Sequence, residues 1–192
     1  MIKALLFNGY SNYDSDAETI CSLIIAELKR NRFEVEQILI KDISIAACQG
    51  CFDCWLNTPG ECRIDDYGRE TTNKMVHSNL IIYITPITFG GYSSELKKVL
   101  DRFIPILLPF LTKRKGETHH KFRYKNRASI IVIGILGKPN NEKESIFKEL
   151  VHRNSLNMGA PVHEVIIYIK SQSKTEFVNK LAKILKEVKV KT

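Results

Sequence analysis

Uncharged apolar runs alternate with amphipathic stretches along the whole chain. The apolar runs are dominated by Ile, Val and Leu, and most of them lack the polar alternation of a strand with one face in water. Such runs are typical of parallel strands that are covered on both faces. The pattern predicts five strands, at residues 2–8, 33–40, 79–85, 128–135 and 163–169.

The stretches between these runs have a helical period. In "DAETICSLIIAELKR", for example, the period places Ile20, Leu23, Ile24 and Leu28 on one face. The same period predicts five helices, at residues 16–30, 67–78, 94–109, 141–157 and 174–189.

Regular alternation of strands and helices indicates an α/β fold with a parallel sheet. We predict a flavodoxin-like three-layer sandwich, with a five-stranded parallel sheet in the order 2-1-3-4-5. No repeat, low-complexity tract or linker interrupts the series, so residues 1–192 are predicted to form a single domain. In this order the ligand crevice lies between the first and third strands, at their carboxyl ends. The loops "NGYSNYDSDA" (8–17) and "TPITFGGYSS" (85–94) are therefore expected to meet there.

The first of these loops is rich in small hydroxyl and amide side chains and leads into a helix N-terminus. Free N–H groups and the helix dipole favour a phosphate at such a position. An ordinary helix cap by Ser15 or Asp16 accounts for the same composition. Both interpretations remain open on the residues alone.

The second loop contains Gly90 and Gly91, which leave room for a ligand close to the backbone. The residues before them form a stiff, mostly apolar wall that suits a flat ring system. The alternative is a plain strand-to-helix turn with a cap at Ser93 or Ser94.

Three segments carry a resemblance to a known family. "TPITFGGYSSELKKVLDRF" (85–103) resembles the flavin-contacting loop and following helix of the NAD(P)H-dependent FMN reductase family, and "FNGY" (7–10) resembles the start of its phosphate loop. "CQGCFDCWLNTPGECRIDD" (48–66) is similar to the Cys-rich segment of its iron–sulfur-flavoprotein-like branch. The resemblance spans about residues 1–160. It implies an oxidoreductase that accepts hydride from NAD(P)H and passes electrons to flavin, a quinone or another small-molecule acceptor.

The resemblance also implies noncovalently bound FMN. Its phosphate is expected on the first loop, its isoalloxazine ring against the second, and a third contact at residues 135–138. Because the flavin carries the chemistry, no catalytic acid or base is expected. The expected cofactor-binding residues are Ser11, Asn12, Ser15, Ala17, Thr85, Pro86, Ile87, Thr88, Phe89, Gly90, Gly91 and Tyr92.

The first loop departs from the family pattern. Asn12 stands where the family usually has Arg, and Ala17 stands where it has Thr. Asp14 and Asp16 would repel a phosphate unless they turn away or a Lys or Arg from elsewhere compensates them.

Four cysteines, Cys48, Cys51, Cys54 and Cys62, have the spacing C-x2-C-x2-C-x7-C. The spacing is compatible with a [4Fe–4S] cluster, and the resemblance favours one. Zinc is an alternative, and so are unligated thiols packed beside the flavin or at a subunit contact. Trp55 and the "NTPGE" insertion favour the unligated alternative, since they resemble relatives that carry FMN alone.

The net charge of +8 is concentrated in "KRKGETHHKFRYKNR" (113–127), which has seven Lys or Arg residues and one acid, Glu117. This patch is expected to be a solvated loop, or a surface that attracts anions such as nucleotide phosphates. No nucleic-acid motif accompanies it, so no nucleic-acid partner is expected. His119 and His120 within it are not expected to bind a metal.

Composition and termini narrow the class of protein further. Hydrophobic residues at 44% and charged residues at 26% are ordinary globular values. No apolar run approaches the ~20 residues of a membrane span, and the N-terminus resembles a strand, without the features of a signal peptide. The five cysteines suit a reducing compartment. These features predict a cytoplasmic protein without a membrane partner.

The segment "VLDRFIPILLPFL" (99–111) is more apolar than one covered helix face needs. It predicts either an interface in a homodimer or homotetramer, or packing against the chain's own "KFRY" segment (121–124). Two alternatives to the enzyme also remain: an iron–sulfur flavoprotein-type electron carrier, and a flavodoxin-like binding domain that has lost FMN.

Overall fold

A computed structural model describes residues 2–114 and 116–191. In these ranges the chain forms seven strands: β1 (Ile2–Asn8), β2 (Phe33–Leu39), β3 (Leu80–Pro86), β4 (Leu107–Arg114), β5 (Glu117–Phe122), β6 (Ser129–Leu136) and β7 (His163–Ile169). Five of them form one parallel sheet in the order β2-β1-β3-β6-β7. When the β4–β5 hairpin is left out, this is the predicted order 2-1-3-4-5, so the predicted fold class is confirmed.

Helices cover both faces of the sheet. They are α1 (Ser15–Arg30), α2 (Asp53–Leu56), α3 (Tyr67–Val76), α4 (Ser94–Asp101), α5 (Asn141–Met158) and α6 (Lys174–Lys191), with single 3₁₀ turns at Ile40–Asp42 and Ile104–Ile106. One core cluster packs α1 and α6 on one face of the sheet, and a second packs α3, α4 and α5 on the other. None of the helices within the described ranges is long and apolar enough to cross a membrane.

The sheet explains why the strands are apolar throughout. Leu6, Ile82 and Ile131 lie side by side on neighbouring strands and point into the α1–α6 cluster. The adjacent row, which begins with Leu5, points into the opposite cluster. Each fully buried side chain of this kind contributes about 2 kcal/mol through the hydrophobic effect. A polar residue in either row would lose that contribution, and this is why the runs show no alternation.

One predicted region is wrong. The sequence predicted a helix at 94–109 and a loop at 113–127, but α4 ends at Asp101, and β4 (Leu107–Arg114) pairs with β5 (Glu117–Phe122) in an antiparallel hairpin. Pro105 lacks the N–H that a continuing helix would need, and it lies in the 3₁₀ turn. Pro109 is tolerated in β4 because the hairpin has open edges.

The hairpin also changes the position of several predicted features. Leu107 is paired with Phe122, so the apolar segment does contact the chain's own "KFRY" segment. His119 and His120 lie in β5 and not on a loop. Lys115 of the basic patch lies outside the described residues.

Candidate functional site

The loops after β1 and β3 meet at the carboxyl edge of the sheet, as expected. The amide of Gly9 donates to the carbonyl of Ile84 at 2.8 Å, and the Ser93 hydroxyl donates to the carbonyl of Gly9 at 2.6 Å. A Cβ at position 9 would lie 2.7 Å from the Ile84 oxygen, so only glycine allows this approach. The two loops therefore form one continuous backbone surface.

The second loop contains a tight turn at residues 88–91. Thr88 and Gly91 exchange two backbone hydrogen bonds of 3.0 and 2.8 Å, and the central residues Phe89 and Gly90 both have positive φ, at 50° and 77°. Positive φ at both central positions is the pattern of a type I′ turn. It strains Phe89, because a residue with a side chain rarely adopts this conformation. The Phe89 side chain is 95% exposed at the tip of the turn.

Two predicted contact residues have internal roles. The Thr85 hydroxyl is buried and accepts a hydrogen bond from the amide of Ser93 at 2.9 Å. The Tyr92 side chain packs edge-on against Phe147 and accepts a hydrogen bond from Asn154 at 3.3 Å. Burial raises the pKa of Tyr92 to about 12. These side chains fix the shape of the loop from behind, while Thr88 and Phe89 are exposed.

Ser93 is the cap of α4, since its hydroxyl accepts from the amide of Leu96 at 3.2 Å. The third expected contact, residues 135–138, is joined to the same loop by a 3.0 Å bond from the amide of Ile87 to the carbonyl of Ile135. Gly137 and Lys138 beyond it are exposed. All three expected loops thus lie at one edge of the sheet.

The start of α1 differs from the expectation. Ser15 or Asp16 was predicted to cap it, but Asp14 does so: its Oδ1 accepts from the amides of Asp16 at 3.1 Å and Ala17 at 3.0 Å. These amides are the groups that a phosphate at this helix N-terminus would use. Ser11, Asn12 and Ser15 are exposed around them, whereas the Ala17 side chain is buried, so Ala17 can offer only its amide.

Lys170 compensates the acids of the first loop. Its Nζ lies 2.7 Å from Asp14 Oδ2 and 3.4 Å from Asp16 Oδ2. Partial burial by itself raises the pKa of Asp14, but the hydrogen bonds from Lys170, Ala17 and Asp16 outweigh it and hold the pKa below its ordinary value. Sequence reasoning anticipated a compensating cation without identifying it. Its position directly after β7, at the carboxyl edge of the sheet, is the signal that could have found it.

The Cys-rich segment includes the short helix α2. Cys54 is buried, Cys48 and Cys62 are partly exposed, and Cys51 is exposed. Burial, followed by electrostatic interaction with the neighbouring Cys62, Cys48 and Cys51, raises the pKa of Cys54 to about 11. The four predicted cysteines are therefore near enough to interact electrostatically, and the fifth cysteine, Cys21, is buried in the core.

Trp55 fastens the Cys-rich segment to the hairpin. Its ring stacks on Phe52, contacts the ring of His120, and donates from Nε1 to the carbonyls of Leu107 at 3.0 Å and Ile104 at 3.3 Å. The bulky residue after the third cysteine thus has a structural explanation.

Both ends of the Cys-rich segment are held by Arg102, a residue that sequence analysis missed. Its side chain is 1% exposed and forms a bidentate salt bridge with the Asp66 carboxylate, with N–O distances of 2.8 and 2.9 Å. The Arg102 guanidinium group also donates to the carbonyl of Ala46 at 3.0 Å and to that of Ile64 at 3.1 Å. Asp66 also caps α3, because its Oδ1 accepts a hydrogen bond from the amide of Gly68 at 2.9 Å. We call this arrangement of Arg102, Asp66, Ala46 and Ile64 the clamp.

The donor chemistry of the four cysteines fits an iron–sulfur cluster, because thiolates are its protein ligands. Their arrangement does not form a ligand set: within residues 2–114 and 116–191, no three His, Cys, Asp or Glu side chains are grouped to hold a metal ion. A cluster here would require the segment between Ala46 and Ile64 to rearrange while the clamp holds its ends.

The proteins that this chain resembles are flavin reductases and iron–sulfur flavoproteins, which agrees with a candidate flavin site at the carboxyl edge of the sheet. The family model described as NADPH-dependent FMN reductase matches residues 2–143. The chain is 35% identical over 114 residues to an iron–sulfur flavoprotein of Methanocaldococcus jannaschii, which covers 59% of this chain and 58% of that protein. It is 31% identical over 101 residues to an iron–sulfur flavoprotein of Archaeoglobus fulgidus, which covers 53% of this chain and 48% of the relative. The chain thus spans about half the length of these two relatives.

Among solved structures, the chain resembles an FMN-dependent NADH-azoreductase from Bacillus anthracis in complex with FMN. The TM-score is 0.66 at 14% identity, and the match covers all of both chains. At this identity the likeness concerns the fold.

Proposed function

Because the chain belongs to the NADPH-dependent FMN reductase family, we propose that it is an FMN-dependent oxidoreductase. In this proposal it accepts hydride from NADH or NADPH and passes electrons to free flavin, a quinone or another small-molecule acceptor. The observation that carries the proposal is the joining of the first and second loops through Gly9, Ile84 and Ser93 at the carboxyl edge. Ligands of sheets with this strand order bind at this position.

The residues at this edge fit FMN in two respects. The first is the start of α1, where backbone amides and the exposed Ser11, Asn12 and Ser15 can donate to a phosphate. The second is the turn at residues 88–91, whose backbone and exposed Phe89 offer a surface for a flat ring. When bound, FMN would supply the hydride and electron transfer.

The chain's own residues would bind and orient the cofactor. Asp14 must release the amides of Asp16 and Ala17 for a phosphate to reach them, and Lys170 is close enough to hold the displaced carboxylate. Thr85 and Tyr92 support the loop from behind. In the proposal, Phe89 covers one side of the ring and excludes water from it.

The decisive experiment is an absorbance spectrum of protein purified without oxygen, followed by heat release and identification of any cofactor. FMN should be released in near-stoichiometric amount, and NADH or NADPH should bleach the flavin bands of the intact protein. Colourless protein that also fails to quench the fluorescence of added FMN would eliminate the proposal. That result would favour a flavodoxin-like binding domain that has lost FMN.

The second candidate is an iron–sulfur flavoprotein-type electron carrier, with a [4Fe–4S] cluster on Cys48, Cys51, Cys54 and Cys62. It is supported by the C-x2-C-x2-C-x7-C spacing of the four cysteines and by the names of the two relatives. A bound cluster would exchange single electrons. Iron and acid-labile sulfide in the anaerobic protein, lost together in Cys54→Ser, would support it. If iron and acid-labile sulfide are absent, the electron-carrier candidate is eliminated and the FMN-dependent enzyme remains.

A further inference from the structure

A second cavity lies at the opposite edge of the sheet from the candidate FMN loops. It has a volume of about 480 Å³ and lies between the β4–β5 hairpin, the C-terminal end of α5 and the turn before β7. Arg127 just before β6 and His163 at the start of β7 place it at the amino edge. Neither the family relationship nor the proposed function gives this cavity a role.

Three buried donors in this cavity have no partner. In the chain from 2 to 114 and from 116 to 191, five buried side-chain nitrogen or oxygen atoms lack a hydrogen bond. Three of them belong to residues that line this cavity: Nε and Nη2 of Arg114 and Oγ of Ser155, whose residue is 1% exposed. Buried polar groups in native proteins are nearly always paired, so three unpaired donors on one cavity indicate a missing acceptor.

The charges around the cavity are also unbalanced. The guanidinium groups of Arg114 and Arg127 lie 4.3 and 4.9 Å from the centre of the same Phe122 ring. Among the residues that the structure describes, Glu117 is the only acid on the cavity. It already binds Arg153 at 2.7 and 3.0 Å and lies 3.2 Å from His119. Partial burial and the neighbouring charge of Arg127 lower the pKa of Arg114. No acid of the described residues forms an ion pair with Arg114 or Arg127.

A simpler role for the two arginines is to offset the dipole at the C-terminus of α5, which has no basic residue in its last turn. That role explains the position of both arginines but not the unpartnered donors of Arg114. The carbonyls of Ser155 and Leu156 accept from the amides of Ala160 and Gly159, at 3.0 and 3.1 Å. Arg114 Nε and Nη2 donate to no atom of the described chain.

We propose that this cavity binds a phosphate group, either free or as a small phosphate monoester. Arg114 would donate through Nε and Nη2, a fork that matches two oxygens of a tetrahedral oxyanion. Ser155 Oγ would donate to a third oxygen, and Arg127 would balance the second negative charge. The volume leaves room for a small organic group on the phosphate. This proposal does not depend on the proposed FMN chemistry, since the two sites lie at opposite edges.

The test is isothermal titration calorimetry on the protein without and with added FMN, so that phosphate binding at the candidate flavin site is recognised by its loss when FMN is present. The titrants are inorganic phosphate and glycerol 2-phosphate, in a phosphate-free buffer with 0.15 M NaCl. We expect saturable binding of one phosphate group per chain. Arg114→Gln should weaken it at least about tenfold, because a charge-assisted bond is lost, and Ser155→Ala should weaken it less. Lys125→Gln is the matched control: it removes one exposed charge from the same segment outside the cavity.

The two titrants distinguish the sources of the phosphate. Tighter binding of inorganic phosphate identifies the free ion, and tighter binding of the monoester identifies a phosphorylated small molecule. Arg114→Lys keeps the charge without the fork, so it should also bind weakly, with a melting temperature close to that of the wild type. No saturable binding by the wild type, equal weakening in Lys125→Gln, or wild-type binding by Arg114→Lys would each overturn the proposal.

Discussion

The carboxylate of Asp14 occupies the amides that a phosphate would use. Its Oδ1 accepts from Asp16 and Ala17, and its Oδ2 accepts from Lys170. Its negative charge opposes phosphate binding, while its hydrogen bonds stabilise the start of α1. Cofactor affinity and helix stability therefore make opposite demands on this residue.

Asp14→Asn should separate the two effects. Asn remains a good cap but carries no charge, so we expect FMN to bind about fivefold more tightly, equivalent to about 1 kcal/mol. The free energy of unfolding should change by less than about 1 kcal/mol. Quenching of flavin fluorescence measures the affinity. Asp42→Asn, an exposed acid at the same edge, is the control, and equal affinities in both variants would contradict the role of Asp14.

Lys170→Met should have the opposite effect. It leaves the charges of Asp14 and Asp16 uncompensated beside the phosphate, so FMN should bind about tenfold more weakly. Adding Asp14→Asn to it should recover part of the loss, because the acid that needed compensation is gone. Lys180→Met removes an exposed charge from α6 and should bind FMN normally. A loss of affinity that the double variant does not reduce would argue against compensation by Lys170.

At the scale of single residues, the sequence predicted a phosphate site in the first loop, but it did not identify the residue that caps α1 or the cation that compensates its acids. The composition of the first loop predicted a candidate phosphate site and the need for a cation. The cation is 156 residues away from Asp14, and no local pattern reports such a contact. Asp14, Ser15 and Asp16 are all good caps, so residue type cannot decide among them.

Among the structural elements, the turn at residues 88–91 combines strain with exposure. Phe89 has a φ of 50° and an almost fully exposed ring. A non-glycine residue in this conformation costs about 1 kcal/mol. The exposed Phe89 ring gains little from packing that could offset this strain. We infer that the ring makes its contact when a ligand is bound.

Phe89→Gly should stabilise the protein by up to about 1 kcal/mol in chemical denaturation and weaken FMN binding about fivefold. Phe89→Ala should weaken FMN binding to a similar extent without the gain in stability, because alanine keeps the strain. Unchanged FMN affinity in both variants would show that the ring does not contact the cofactor.

The clamp is the second element whose energetics can be measured. Partial burial alone raises the pKa of Asp66, but the hydrogen bonds from Arg102 and from the amides of Ala46 and Gly68 lower it below its ordinary value of 3.8. The ionised carboxylate therefore adds stability above about pH 4, and this stability is lost as the pH falls through the lowered pKa.

Asp66→Asn should cost about 3 kcal/mol of unfolding free energy at pH 7, because it leaves the buried Arg102 without its partner charge. Urea denaturation between pH 7 and pH 2.5 should show this difference shrinking below about pH 4. Asp65→Asn is the control. The Asp65 side chain is 86% exposed and pairs with Arg69 at the surface, so this substitution should cost less than about 1 kcal/mol. A loss in Asp66→Asn that is independent of pH would contradict the ion pair.

Strands of the sheet were predictable and the hairpin was not. A strand buried on both faces has a continuous apolar run, which the sequence displays directly. The run "FIPILLPFL" is equally apolar whether it is a buried helix or a strand, and period alone cannot distinguish the two. Its strand form depends on pairing with residues 117–122, a contact that neither segment encodes by itself.

For the molecule as a whole, the two edges of the sheet carry different candidate sites. The carboxyl edge has acids compensated by Lys170, and the amino edge has Arg114 and Arg127, which form no ion pair with an acid of the described residues. The net charge of +8 is thus not a uniform property of the surface. The sequence located the basic patch, but only the hairpin directs Arg114 into a cavity.

The hairpin also exposes an apolar surface that we propose to be a subunit interface. Phe110 is 63% and Leu111 is 58% exposed on β4, and the two-stranded sheet has open edges that could pair with a second copy. We expect light scattering to give a mass of two or four times the chain mass of 22.0 kDa.

Replacing both Phe110 and Leu111 by Asp should reduce this mass to that of a single chain without unfolding it, because two charges would be buried in the interface. Val190→Asp is the control, since Val190 is 86% exposed on α6, on the opposite face of the sheet. It should leave the mass unchanged. A wild-type protein that is already monomeric, or an assembly that survives the double substitution, would place the subunit contact elsewhere or remove it. In either case the exposed residues of β4 would need a different partner.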